Sequence, residues 1–135
     1  VLWWAFRFIR IDRRDSASAI AAIAGVGELI RREARSLIMA PEGTRTPTGE
    51  ILPFKMGAFH IAIAAGAAVF PVVVQGAYEL SPKGTIVSHP GTIRLHFLAP
   101  IPTDGLGSDS ASIHSLADQV RTAMAAAYAE MRTRA

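Results

Sequence analysis

The stretch Ser36 to Ala58, SLIMAPEGTRTPTGEILPFKMGA, carries the strongest structural and chemical pattern of the chain. The apolar run 36–40 stops at Pro41, and the compact polar cluster Glu42-Gly43-Thr44-Arg45 follows at once. This pattern predicts a buried strand that delivers a loop to its carboxyl end, where open α/β sheets bind their ligands.

The side chains of this polar loop suit a phosphate ligand. Arg45 offers a planar fork of donors that can bind two phosphate oxygens together, and Thr44 adds a hydroxyl. Gly43 lets the backbone approach a ligand closely. Glu42 carries a negative charge, so we expect it to hold Arg45 in place or to accept a hydrogen bond from a substrate hydroxyl.

Pro41–Arg45, followed by Gly49 and then by Phe54–Ala58, closely resembles the third sequence block of the glycerolipid acyltransferases. Within that family it is most similar to the bacterial 1-acylglycerol-3-phosphate acyltransferases. The resemblance implies that the block binds the phosphate of the acceptor substrate. Two positions depart from the usual pattern: Ala40 replaces an aromatic residue, and Thr46 replaces Ser while keeping a hydroxyl.

Two further cations are candidates for the same site. Arg13 ends the segment Ile11-Asp12-Arg13, which resembles the end of the family's second block, and the resemblance implies that it helps to hold the acceptor phosphate. Lys55 is a possible additional phosphate ligand. The alternative for both side chains is an ordinary solvated charge.

Length and composition are those of one domain covering residues 1–135, with half of its residues hydrophobic and 19% charged. The net charge of +3 favours an anionic ligand or membrane surface. It does not indicate a nucleic-acid binder, because no basic stripe accompanies it. The chain has no Cys, which excludes disulfides and a thiolate nucleophile.

Hydrophobic periodicity predicts alternating strands and helices. The predicted elements are a strand within 2–12, a helix from Asp15 or Ser16 to the basic residues 31–35, a strand at 36–40, a helix from Phe54 to Gly66, a buried parallel strand at 69–74, a loop over 76–92, a strand at 92–98 open to water on one side, and a helix from Ala111 to Arg132. This order predicts an α/β fold with a mostly parallel sheet flanked by helices. The apolar run 56–74 contains Pro71 and changes from helical to β-branched character, so we expect a helix and a strand rather than a membrane span.

Acyl transfer to a hydroxyl needs a base that takes the hydroxyl proton. The resemblance implies a His followed by Asp at the fifth position, upstream of the second block. None of the four histidines has this Asp, and we expect His60 to be structural. His114 and Asp118, four residues apart on one helix, are predicted to form a surface ion pair. We therefore expect the C-terminal portion of an acyltransferase domain without its H-x-x-x-x-D block, and we identify no catalytic residue.

The resemblance implies transfer of a fatty acyl group from acyl-CoA or acyl carrier protein to 1-acylglycerol 3-phosphate, giving phosphatidate, with no metal and no cofactor. It also implies a lysophospholipid acceptor, an acyl thioester donor, a membrane surface at the cytoplasmic face of the bacterial inner membrane, and no nucleic acid. The alternative is a catalytically inactive remnant that binds phosphate or anionic lipid. An unrelated α/β hydrolase is disfavoured because the sequence contains no G-x-S-x-G turn.

Overall fold

The computed structural model describes residues 16–85 and 89–133. Its elements are α1 (Ser16–Glu33), α2 (Gly57–Ala65), β1 (Val72–Gln75), α3 (Ala77–Leu80), β2 (Arg94–Phe97) and α4 (Ser110–Thr133). The strand predicted within residues 2–12 and the candidate ligand Arg13 lie outside the described residues.

Helices α1 and α2 pack against each other. Helix α1 confirms the predicted helix, and basic residues in its last turn interact favourably with the negative end of the helix dipole. Gly27 permits the close approach of the two helices, since a Cβ placed there would lie 3.1 Å from Ala64 Cβ. Val26 beside it is buried. The pair forms a small hydrophobic contact next to the main core.

Helix α2 begins three residues later than the sequence predicts. The backbone N–H of Lys55 donates to Pro41 O at 2.8 Å, which binds the segment before Gly57 to the polar loop. The helix ends as predicted at Gly66, which adopts the left-handed conformation with φ 60°. The apolar run 56–74 is thus a nine-residue helix followed by a strand. No helix in the described part of the chain is long and apolar enough to cross a bilayer.

The sheet in the described residues contains two strands, β1 and β2, which pair antiparallel. Val72 lies opposite Phe97 and Gln75 lies opposite Arg94. The prediction of a parallel strand at 69–74 is wrong for this pairing. Parallel strands are usually joined by a crossover helix that packs on the sheet, whereas the connection between β1 and β2 contains only the four-residue helix α3.

Two expectations of burial are also wrong. The run 36–40 is not a strand among the described elements, and its side chains are exposed, with Ile38 97% exposed. No ladder hydrogen bond joins it to another described strand. Strand β2 is exposed on both faces instead of one, and the last helix, α4, packs against β1.

The main core lies between α2 and α4. Helix α4 confirms the predicted C-terminal helix, and it buries Ile113, Leu116 and Val120. These side chains pack with Phe54 and Phe59, whose rings are stacked with centroids 6.1 Å apart. The core therefore fixes the C-terminal helix directly against the segment that follows the polar loop.

Candidate phosphate-binding site

The polar motif lies in a closed loop, residues 41–55. The Lys55 N–H donates to Pro41 O at 2.8 Å and closes the loop at its base. A second bond crosses the loop, from Leu52 N to Glu42 Oε2 at 3.2 Å. Glu42 thus braces the loop backbone. The expectation that it holds Arg45 is wrong, since the described residues contain no Glu42–Arg45 ion pair.

Arg45 is held by the segment that follows α3. Its Nη1 donates to Pro82 O at 3.1 Å, to Ser81 Oγ at 3.2 Å and to Ser81 O at 3.4 Å. Nε and Nη2 bind no acceptor among the described residues, and the side chain is exposed. The guanidinium is therefore fixed on one side while its Nε–Nη2 edge, the bidentate edge, faces solvent.

Lys55 lies beside the same loop. Gly43 adopts φ 69°, and a Cβ placed on it would lie 3.1 Å from Lys55 Cε and 3.2 Å from Lys55 Nζ. The lysine side chain therefore runs across the glycine, and no described group pairs with its ammonium. Thr44 is exposed next to Arg45. The loop thus presents two cations to solvent, and the Thr44 hydroxyl donates a long hydrogen bond of 3.5 Å to Arg45 O.

The tip of the loop, residues 46–50, has its own turn. Thr46 Oγ1 accepts from Thr48 N at 3.3 Å and from Gly49 N at 3.1 Å. Because any hydroxyl at this position can accept these bonds, the replacement of Ser by Thr preserves the turn. The tip is further held from outside, since Tyr78 OH donates to Pro47 O at 3.1 Å and Tyr128 OH donates to Gly49 O at 2.8 Å.

Sequence reasoning missed the residues that support the loop. Segment 76–92 was predicted as loop, whereas α3 within it supplies Tyr78 and leads directly to Ser81 and Pro82. Tyr128 lies on α4, the last helix, and is half-buried. Burial raises the pKa of the Tyr128 phenol, against the opposing charge of Arg132. No local pattern shows these partners, because the contacts join residues more than 30 positions apart.

The other candidate residues lie apart from this arrangement. His60 is exposed on α2. His114 Nδ1 lies 2.7 Å from Ser110 O, and Asp118 lies 3.9 Å from Arg121 Nε. The predicted His114–Asp118 ion pair is therefore wrong. In the described ranges no group of three His, Asp or Glu side chains could hold a metal ion.

Comparison with known families shows the class of protein to which this helical α/β domain belongs. The model of the family described as "Acyltransferase" matches residues 1–75, which is more than half of the chain. The chain belongs to this family.

Individual members of the family are also similar to this chain. The chain is 34% identical over 131 residues to 1-acyl-sn-glycerol-3-phosphate acyltransferase alpha of Mus musculus, a match covering 96% of this chain and 45% of the mouse protein. It is 40% identical over 96 residues to 1-acyl-sn-glycerol-3-phosphate acyltransferase of Limnanthes alba, covering 71% of this chain and 34% of the plant protein. The chain thus spans less than half the length of these relatives.

A solved structure matches the fold. The crystal structure of the 1-acyl-sn-glycerophosphate (LPA) acyltransferase PlsC from Thermotoga maritima superposes with a TM-score of 0.69 at 30% identity, covering 82% of this chain and 44% of that one. The predicted α/β class and the predicted resemblance to the glycerolipid acyltransferases are both confirmed.

Proposed function

We propose that this chain forms the acceptor-binding part of an enzyme that transfers a fatty acyl group from acyl-CoA or acyl carrier protein to 1-acylglycerol 3-phosphate. The product is phosphatidate. The observation that carries the proposal is the closed loop 41–55, in which Arg45 is anchored on one side and open on the other, while the Lys55 side chain runs across Gly43. The names of the relatives support this choice of acceptor.

In this proposal the phosphate monoester is bound by matched charge and geometry. A phosphate monoester carries about two negative charges near neutral pH, and Arg45 and Lys55 supply two positive charges. The free edge of Arg45 binds two oxygens, Thr44 donates its hydroxyl, and Gly43 allows the backbone to come close. Arg13 is a further cation for the same phosphate, and Glu42 keeps the loop closed through Leu52 N.

Binding a phosphate that does not react still assists the reaction. Fixing this end of the acceptor orients its hydroxyl for attack on the thioester carbonyl. The favourable free energy of phosphate binding then offsets the entropy that the acceptor loses when it is positioned. The proposal assigns no general base to this chain. The enzyme acts on lysophospholipid at the cytoplasmic face of the bacterial inner membrane, with no metal and no cofactor.

Replacing Arg45 tests the proposal in the full-length protein. Each charge-assisted hydrogen bond contributes about 1.5–3 kcal/mol, so Arg45→Ala should raise the acceptor KM by about tenfold or more and leave the KM of the acyl thioester unchanged. Arg94→Ala is the matched control, because it removes the same charge from an exposed site on β2.

Two results would count against the proposal. Equal effects of Arg45→Ala and Arg94→Ala on the acceptor KM would show a general charge effect instead of a binding site. Absence of acyl transfer from every acyl thioester tested, with glycerol 3-phosphate still bound, would replace the proposed enzyme by the inactive phosphate-binding remnant.

A further inference from the structure

The loop tip lies between two tyrosines that come from distant parts of the chain. Tyr78 on α3 and Tyr128 on α4, together called the tyrosine clamp, donate to Pro47 O and Gly49 O at 3.1 and 2.8 Å. Gly49 adopts φ 83°, and a Cβ placed on it would lie 3.2 Å from Tyr78 Cδ1. The tip therefore fits closely against the clamp, with a backbone conformation that favours glycine.

Helix α4 makes a second contact with the tip. Arg132 Nη1 donates to Glu50 Oε1 at 2.7 Å, and the Arg132 guanidinium lies 5.9 Å from the centroid of the Tyr128 ring. The same helix is anchored in the core through Leu116 and Val120. The Tyr128 hydroxyl is thus presented by an element whose position is set by core packing.

The direction of the Tyr128 hydrogen bond is also defined. A backbone carbonyl can only accept, so the phenol must be protonated to bind Gly49 O. Burial raises the pKa of Tyr128, and the phenol is therefore protonated throughout the neutral range. Tyr128 can therefore donate this hydrogen bond from α4 to the loop at neutral pH.

We propose that Tyr128 is a positioning residue for phosphate binding, which fixes the backbone at Gly49 and thereby the orientation of Arg45 four residues earlier. This inference rests on the proposed function of the loop. The loop is held at its base by the Lys55–Pro41 bond and at its tip by the clamp, and Arg45 lies between these two attachments. Without the Tyr128 bond, the guanidinium keeps its contacts with Ser81 and Pro82, but the loop backbone that carries Arg45 is less restrained. Ordering that backbone when the ligand binds then costs entropy, which weakens binding.

The experiment compares Tyr128→Phe with wild type in the full-length protein. The variant keeps the ring and its packing and removes the one hydroxyl. Glycerol 3-phosphate is titrated while the backbone amide signals of Gly43 and Arg45 are followed by NMR. Acceptor and donor kinetics are measured on the same samples. Gln119→Ala on an exposed face of α4 is the control, since its amide contacts Ser115 alone among the described residues.

We expect Tyr128→Phe to weaken glycerol 3-phosphate binding and to raise the acceptor KM, each about fivefold. We expect kcat at saturating acceptor and the donor KM to stay within twofold of wild type, and Gln119→Ala to change neither. A lowered melting temperature with unchanged glycerol 3-phosphate affinity would overturn the inference, because Tyr128 would then only stabilise the fold. A wild-type protein that binds glycerol 3-phosphate without acyl transfer would refute the proposed reaction. The role of Tyr128 would then be decided by the affinities of wild type and Tyr128→Phe for glycerol 3-phosphate.

Discussion

Replacing Gly43 with Ala should have two separate effects, one on the stability of the fold and one on the binding of the acceptor phosphate. The residue has φ 69°, a conformation that costs an L-residue about 1–2 kcal/mol. The new methyl group would also meet Lys55 Cε and Nζ at 3.1 and 3.2 Å. Because these atoms end a flexible side chain, the lysine moves aside at little cost in stability. We therefore expect the free energy of unfolding to fall by about 1–2 kcal/mol, from backbone strain alone.

The effect on phosphate binding is separate from this strain. In the proposed site, a charge-assisted hydrogen bond from Lys55 to the phosphate would contribute about 1.5–3 kcal/mol. A displaced lysine loses most of it, so we expect Gly43→Ala to raise the acceptor KM about tenfold, which corresponds to about 1.4 kcal/mol. Gly105→Ala is the matched control: Gly105 has φ 76° and nothing within 4 Å of an added Cβ. It should cost similar stability and leave the KM unchanged.

A double-mutant cycle tests the reasoning directly. If Gly43 acts by making room for Lys55, then Lys55→Ala alone should raise the KM about as much as Gly43→Ala, and the double variant should raise it no further. The assay is acceptor KM in the full-length protein, supported by glycerol 3-phosphate titration, with unfolding by urea as the stability measurement. Independent, multiplying effects of the two substitutions would refute the explanation, as would equal KM changes in Gly43→Ala and Gly105→Ala.

Two further predictions concern the helix that supports the site. Leu116→Ala removes a fully buried side chain and should lower the free energy of unfolding by about 2–5 kcal/mol. Leu95→Ala changes a side chain that is 55% exposed and should lower it by less than about 1 kcal/mol. Equal losses for the two variants in urea unfolding would refute the assignment of the core. Asp109 caps α4, accepting from Ser112 Oγ at 2.7 Å and from Ser112 N at 2.9 Å, and these bonds lower its pKa below 3.8. A lowered folded-state pKa means that the carboxylate stabilises the fold above its unfolded pKa and loses this effect as pH falls through the folded value. The difference in melting temperature between wild type and Asp109→Ala should therefore be largest near neutral pH and shrink below about pH 4; a difference independent of pH would show that the charge plays no part.

Much of the local structure could be predicted from the sequence, because helices and turns depend on neighbouring residues. The apolar spacing of the last helix predicted α4 to within one residue at each end. Gly66 predicted the end of α2 through its left-handed conformation. The Pro41–Arg45 cluster predicted a loop whose side chains are now seen to be exposed or half-buried.

The predictions are wrong where the structure of a segment depends on a partner that lies far away in the sequence. Pattern alone does not define the direction of a strand, since β-branched residues suit parallel and antiparallel pairing alike. The run 36–40 has the composition of a buried strand, yet burial depends on what packs against it, and in the described structure Ile38 is exposed. Closeness in sequence favours Arg45 as the partner of Glu42, whereas the folded loop brings Leu52 N to the Glu42 carboxylate.

The side-chain types of the loop, which are one arginine, one threonine, one glycine and one lysine, are read directly from the sequence, and so is the resemblance of this loop to its family. How those groups are held is seen in the folded chain. Arg45 is anchored by Ser81 and Pro82, and the loop tip by the tyrosine clamp. The physical reason is that side-chain type is a local property, whereas hydrogen bonds across 30 to 80 residues exist only once the core has brought α3 and α4 to the loop.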